Sequence, residues 1–239
     1  MSILRPGGLK LTRYAIEKAA LPDGAALLDM GCGDGSAVKY LNDNFNIRAV
    51  GIDKDNDAVE RGKRAGANIK CGDASMLEFQ SRSFDAVMME CVFSVLDRQD
   101  EAIHEAYCML RPGGKLIISD VYCREPDMER FQREYREAMM LFRRPREHSE
   151  CGSGDSLPSP FCQDGAVVMD GLFGLLDELE LSVTLCEDHT DLLTEFLGQA
   201  IMDCGSLEAY FSAAGSWDGC GCTKRRDAGY FLLIAEKKA

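Results

Sequence analysis

Residues 27–35 read Leu-Leu-Asp-Met-Gly-Cys-Gly-Asp-Gly, an apolar run that ends in an acid and opens into a loop with glycine at every second position. No other string in the chain restricts its fold as much. The loop must turn with positive φ, which Gly31, Gly33 and Gly35 do without a Cβ penalty, and it brings bare backbone close to whatever it faces. Asp34 and Ser36 are placed to cap a following helix, whose first amides would look into the same crevice. The string predicts a strand end, a nucleoside cradle and a helix start.

The spacing narrows the choice of nucleoside. In a dinucleotide fingerprint the third glycine comes three residues after the second, whereas Gly35 follows Gly33 by two. Val50-Gly51-Ile52-Asp53 reads as a second strand ending in an acid. It lies about 20 residues past the loop, the position from which a carboxylate grips ribose hydroxyls. Both NAD and S-adenosylmethionine carry such a ribose.

Later elements separate the two. Ile69-Lys70-Cys71-Gly72-Asp73-Ala74 reads as a third strand entering a Gly-Asp turn, and Phe84-Asp85-Ala86-Val87-Met88-Met89 as a fourth. Leu110 to Asp120 gives a Pro-Gly-Gly turn and a fifth strand. With "LLDMGCGDG", "VGID", "CGDA", "FDAVMMECVFSVL" and "LRPGGKLIISD" in order, the chain resembles the class I S-adenosylmethionine-dependent methyltransferases over residues 10–122, and more loosely over Tyr230 to Ala235.

That resemblance implies a site. Asp29 and the backbone of Gly31, Cys32, Gly33 and Gly35 would hold the methionine part of S-adenosylmethionine. Asp53, with Lys54 beside it, would take the ribose hydroxyls, and Asp73 with the Ala74 amide the adenine edge. Glu90, Cys91 and Val92 would stand beside the sulfonium, which makes Glu90 the catalytic candidate. Cys71, Val92 and Phe93 are better read as wall packing.

The chain is long enough, at 239 residues with 46% hydrophobic, for one large α/β domain. It has no run of about 18 apolar residues to span a membrane. Its first residues lack the charged-then-apolar pattern of a signal peptide, so a cytoplasmic protein is expected. A net charge of −13 argues against a polyanionic substrate. The cluster Arg143-Arg144-Pro145-Arg146 reads as a solvated helix end, and no Asn/Asp-Pro-Pro-aromatic string follows strand four. The expected partner is a small-molecule substrate, without nucleic acid or membrane; the oligomeric state is not set by the sequence.

Eleven cysteines are many for a cytosolic chain, and in a reducing compartment they point to thiols, metal ligation or catalysis before disulfides. Cys32, Cys71, Cys91, Cys108 and Cys123 fall in or beside the core motifs and read as small hydrophobes. Cys151 and Cys162 bracket a turn-rich loop, and Cys220-Gly221-Cys222 sits in another. Together with Cys186 and Cys204 they occupy the half where the family varies most. The spacing is not a two-pair zinc framework, so no metal is expected. Still, Cys151, Cys162, Cys220 and Cys222 are candidate substrate thiols. Ser119-Asp120-Val121-Tyr122 and Phe161-Cys162-Gln163-Asp164-Gly165-Ala166 are similar to stretches of arsenite methyltransferases, whose loop cysteines bind the trivalent metalloid. Two features depart from that pattern: no Cys-Cys pair precedes the fold, and Cys220-Gly221-Cys222 has no counterpart.

Hydrophobic periodicity places an entry helix over 9–21, then strand 26–30, helix 36–45, strand 48–53, helix 56–65, strands 68–71 and 84–89, helix 98–110 and strand 115–121. Helices over 127–143, 165–179 and 190–204 and a strand over 181–186 follow. In the first of these, Phe131, Tyr135, Met139 and Phe142 share a side and read as core. The fold class is α/β: a doubly wound, mostly parallel seven-stranded Rossmann-like methyltransferase sheet with helical and loop insertions. The whole chain, 1–239, is expected to be a single domain. Within it 10–122 is the cofactor half, and 124–180 and 188–228 are variable substrate or lid insertions.

Methyl transfer from a sulfonium requires alignment and exclusion of water more than acid–base help. Among the histidines, His104 reads as structural, while His148 and His189 stand at loop edges where either could serve as a base. A thiolate-bound acceptor would need none. Two other readings remain open: a nicotinamide enzyme, disfavoured by the glycine spacing and the Gly72-Asp73 element, and a non-catalytic S-adenosylmethionine-binding scaffold.

Overall fold

The computed structural model describes residues 5–142, 161–214 and 227–238. In chain order the elements are α1 (Gly8–Ala19), β1 (Ala25–Met30), α2 (Ser36–Asn44), β2 (Ile47–Asp53), α3 (Asn56–Arg64), β3 (Ile69–Cys71) and β4 (Phe84–Glu90). After a 3₁₀ turn at Phe93–Val95 come α4 (Gln99–Met109), β5 (Leu110–Cys123), α5 (Met128–Phe142), β6 (Cys162–Gln163) and β7 (Ala166–Val167). The chain continues through α6 (Met169–Glu178), β8 (Leu181–Asp188), α7 (Thr190–Cys204), α8 (Leu207–Ala214) and β9 (Ala228–Lys237).

The strands form one sheet in which β3, β2, β1, β4 and β5 lie side by side and parallel. β9 runs antiparallel along the free edge of β5 from Lys115 to Cys123, and β8 runs antiparallel along β9. This is the doubly wound α/β sheet expected, with the last strand reversed. Two short strands add to the seven long ones. β7 meets β5 at Tyr122, beyond the last β4 pairing at Ser119, and so extends the wall at the C-terminal edge of the sheet.

Both faces of the sheet are covered, which is why β1 and β4 read as unbroken apolar runs rather than alternating ones. Because side chains alternate along a strand, neighbours enter opposite cores. Leu27, Met88, Ile117, Leu232 and Ile234 pack beneath α1, α2 and α7, whereas Leu28, Val87, Met89, Leu116, Ile118 and Leu233 pack beneath α4 and α6. The reversal at the centre of the sheet leaves β1 and β4 adjacent, with the glycine loop and the residues after β4 at their shared C-terminal edge.

Three expectations are corrected. Residues 165–179 are not one helix: Asp164 and Gly165 both have positive φ, 51° and 76°, and close a two-residue hairpin between β6 and β7 before α6 begins. Asp-Gly is the preferred sequence for that turn, and the apolar residues after it masked the signal. β5 starts at Leu110, five residues earlier than expected, across a register irregularity opposite Phe84 and Ala86. α8 is an additional helix within 188–228. Arg143 to Arg146, His148, Cys151, Cys220 and Cys222 lie outside the described residues.

Candidate functional site

The glycine loop turns as its sequence requires. Gly31, Gly33 and Gly35 have φ of 75°, 55° and 69°, and the Gly31 and Cys32 amides both donate to the Ile52 carbonyl, at 2.8 and 2.9 Å, which pins the loop to β2. A Cβ on Gly31 would stand 2.3 Å from Val92 Cγ2, so the residues after β4 press directly on the loop. A Cβ on Gly33 would meet nothing within 4 Å, because this part of the loop faces open crevice. α2 begins at Ser36 with Gly35 as its N-cap, and Asp34 accepts the Ser36 amide at 3.1 Å. Cys32 lies across Gly51, where burial raises its thiol pKa far above the ordinary value.

Asp53 ends β2 at the mouth of this loop. One carboxylate oxygen accepts the Gly33 amide at 2.7 Å and the other the Asp55 amide at 2.8 Å. Each oxygen keeps a further lone pair for a ligand. Lys54 is exposed beside it. At the end of β3, Asp73 closes a turn by accepting the Ser75 amide at 2.8 Å and the Ser75 hydroxyl at 2.7 Å. Those bonds hold its pKa below the ordinary carboxylate value. Ala74 is buried behind it.

Glu90 ends β4 and is almost wholly buried, with both oxygens engaged. Thr12 Oγ1 donates to it at 2.8 and 3.1 Å, and Arg5 Nη2 at 2.7 Å, so the N-terminal segment and α1 are clasped over the crevice. Asp29, 2% exposed, completes the group. Burial pushes its carboxyl up to about 8, Glu90 and Asp53 push the same way, and Arg5 opposes them. Burial alone would lower the Arg5 guanidinium, but Glu90 and Asp29 outweigh it and hold the pKa above its usual value. Cys91 follows Glu90 with φ 58° and donates its amide to the Ser119 carbonyl at 2.7 Å. A non-glycine residue in that region is a local strain held by its surroundings.

Asp29, the three glycines, Asp53 and Glu90 thus converge at the C-terminal edge of β1, β2 and β4, with Asp73 at the adjoining end of β3. Residues 28–118 match the family described as the methyltransferase domain. Over those residues the chain carries a methyltransferase domain. Phosphoethanolamine N-methyltransferase 3 of Arabidopsis thaliana is 29% identical over 126 residues, which are 50% of this chain and 26% of that protein. The chain therefore spans about a quarter of the length of that curated relative.

Among solved structures, the [4+2]-cyclase SpnF superimposes with a TM-score of 0.68 at 22% identity over 97% of this chain and 81% of its own. Phosphoethanolamine N-methyltransferase 2 of Haemonchus contortus, in complex with S-adenosyl-L-methionine, superimposes at 0.67 and 16% identity over 99% of this chain and 54% of its own. At these identities the likeness is one of fold.

Around the methyltransferase domain's crevice, Cys32, Cys91 and Cys162 are half-buried, whereas Cys71 is exposed. Cys162 Sγ accepts the Gln99 amide at 2.9 Å, and burial raises its pKa far above the ordinary value, so it is a protonated thiol rather than a ready thiolate ligand. Among the described residues no group of three or more His, Cys, Asp or Glu side chains is arranged to hold a metal ion.

Several features escaped the sequence reading. Arg5 and Thr12 bind Glu90 across 85 and 78 positions, a pairing no local pattern announces. Asp120 is fully buried beneath the turn after β4, held by the Ser94 amide and hydroxyl at 2.8 Å each, and burial raises it to about 6. His104 packs on α4 with Nδ1 3.8 Å from Cys108 Sγ. His189 stands at the start of α7, 3.2 Å from a Glu187 oxygen, away from the glycine loop and close to Tyr14.

Proposed function

We propose that this chain transfers a methyl group from S-adenosylmethionine to a small-molecule acceptor. The observation that carries the reading is the tie between the glycine loop and the end of β2, the 2.7 Å bond from the Gly33 amide to Asp53. It presents a carboxylate with spare acceptor capacity beside bare backbone, the combination a ribose diol needs. In this reading Asp53 and Lys54 flank the ribose, and Asp73 with the Ala74 amide meets the adenine edge. Asp29, Gly31, Cys32, Gly33 and Gly35 surround the methionine part, while Glu90 and Cys91 stand nearest the reacting atoms.

S-Adenosylmethionine supplies a methyl group on a leaving sulfonium, displaced in line by the acceptor. The chain's own residues align and exclude water. Glu90 is better placed to anchor than to take a proton, because it is buried and already holds Arg5 and Thr12. The buried, easily neutralised Asp29 gives the crevice an acid that ionises when a cation arrives beside it. For the thiol-bound metalloid reading, Cys162 is half-buried against Gln99, and the other candidate thiols, Cys151, Cys220 and Cys222, lie outside the described residues.

A protein named for a cyclase reaction shares this fold, so the decisive test must detect a product. Calorimetric titration with S-adenosylhomocysteine is expected to give saturable binding. Incubation with methyl-labelled S-adenosylmethionine and a small-molecule extract is expected to give a labelled low-mass product. Binding without label in any acceptor would favour the scaffold alternative, and no nucleoside binding would refute the reading.

A further inference from the structure

A second site lies on the far side of the Glu90 clasp. Between α1, α7 and α8 lies an open cavity of about 350 Å³, the size of a small-molecule site. Its upper limit is Gly7, where a Cβ would come within 2.9 Å of Leu192 Cδ1, so the starts of the two helices touch. Its other end is closed by the edge-to-face pair of Phe196 on α7 and Tyr210 on α8, 5.7 Å apart.

The rings are positioned rather than loosely packed. Tyr14 projects from α1 and its hydroxyl donates to both Glu187 oxygens, at 3.0 and 3.2 Å. His189 approaches the same carboxylate and stacks edge-on against Tyr14 at 5.8 Å. One acid behind the wall therefore fixes two aromatic groups that face the cavity.

With Arg5 tied to Glu90, the lining sets two acids, Glu195 and Asp203, against Lys10. Glu195 and Asp203 line one flank two turns apart on α7, and Gln199 between them donates to Asp203 at 2.7 Å. Of the two cations in the lining, Arg5 is already bound to Glu90 at 2.7 Å, and Lys10 is exposed at the rim. A box of aromatic faces with carboxylates at its edge attracts a cation that sheds water easily, since the ring quadrupole and the acids act in the same sense.

We propose that this cavity binds a small organic ammonium ion. A compact inorganic cation would keep its hydration shell and would not use the four rings, and a neutral guest would leave the two acids without a counter-charge. The proposal stands apart from the methyl-transfer reading, although Arg5 belongs to both places: it lines this cavity and holds Glu90 at the end of β4.

The test uses the full chain and choline chloride as probe, with tetramethylammonium as a second cation and 3,3-dimethylbutan-1-ol as the uncharged isostere of choline. Calorimetry is expected to show saturable binding of both cations, with the alcohol at least about tenfold weaker. Phe196→Ala and Glu195→Gln are each expected to weaken choline about fivefold or more. Equal binding of the alcohol, undiminished choline affinity in both variants, or no saturable heat from either cation up to about 10 mM would overturn the proposal. S-Adenosylhomocysteine is titrated into the same preparations. If it binds while the cations do not, only the ammonium site fails; if the cations bind and it does not, only the cofactor reading fails.

Discussion

At the scale of single residues, the acids of the crevice do different work because they are solvated differently. Asp53 is partly exposed and anchored by two amides, so its remaining lone pairs can meet a diol. A charged hydrogen bond contributes about 1.5–3 kcal/mol, and Asp53→Ala removes the acceptor of two. S-Adenosylhomocysteine affinity is expected to fall at least roughly 30-fold by calorimetry, with a cooperative thermal transition retained; unchanged affinity would refute the placement of the ribose. Asp29 is the opposite case. Its carboxyl is raised from 3.8 to about 8 by burial, helped by Glu90 and Asp53. The unfolded chain ionises near 4 while the folded chain holds the proton, so Asp29 costs stability progressively as pH rises from about 4 to about 8. Asp29→Asn removes that penalty. The melting temperature of the variant relative to the parent is expected to climb over this interval, by about 2–4 °C per kcal/mol relieved. A difference independent of pH would show that Asp29 is ionised in the fold.

The glycines and Asp53 were legible in the sequence because backbone conformation and strand ends are local properties. The state of Asp29 was not, since it depends first on burial by the assembled fold and then on Glu90 and Arg5, far away along the chain.

At the scale of elements, α1 is the cap whose attachment decides access to the crevice. Its apolar side, with Leu11, Ala15 and Ile16, is buried in the core, and this periodicity announces the helix. The polar clasp of Arg5 and Thr12 on Glu90 is what fixes its start over the end of β4. Arg5→Ala leaves a buried carboxylate with half its partners, which costs about 1–3 kcal/mol. Glu90→Gln and Arg5→Ala are expected to be strongly non-additive in urea unfolding, because each removes the same ion pair. Both are expected to raise KM for S-adenosylmethionine more than they lower kcat. A Glu90→Gln variant with normal KM and stability but a collapsed kcat would instead make Glu90 a base. The β6–β7 hairpin shows the limit of periodicity. Residues 162–167 carry an Asp-Gly turn, yet the apolar stretch beyond it reads as one helix until the positive φ of Asp164 and Gly165 is seen.

At the scale of the whole molecule, the order β3-β2-β1-β4-β5 with β9 reversed beside β5 follows from alternation of strands and helices and the handedness of their connections. That much was readable because each strand carries its own apolar run and turn. The segments that would define the acceptor are less periodic, and their pairings, such as α7 against α1 and α8, depend on tertiary contact. Charge acts at this scale too. The chain carries −13 overall, and several of its surface cations are paired: Arg13 with Glu17, Lys39 with Asp43, Lys63 with Glu60, Arg111 with Asp85 and Arg130 with Glu134. Nucleic-acid affinity comes mainly from Lys and Arg displacing counterions from phosphates, so a polyanion would have to approach a surface of its own sign, part of whose cations are already engaged. With methyl-labelled S-adenosylmethionine, the label is expected to enter the low-mass fraction of a cell extract and to be absent from its RNA. Filter binding at about 150 mM salt is expected to retain no tRNA at micromolar protein. Label in tRNA, or retention that weakens steeply with added salt, would mean that cations outside these pairs form a phosphate track, and would replace the small-molecule acceptor with a nucleic acid.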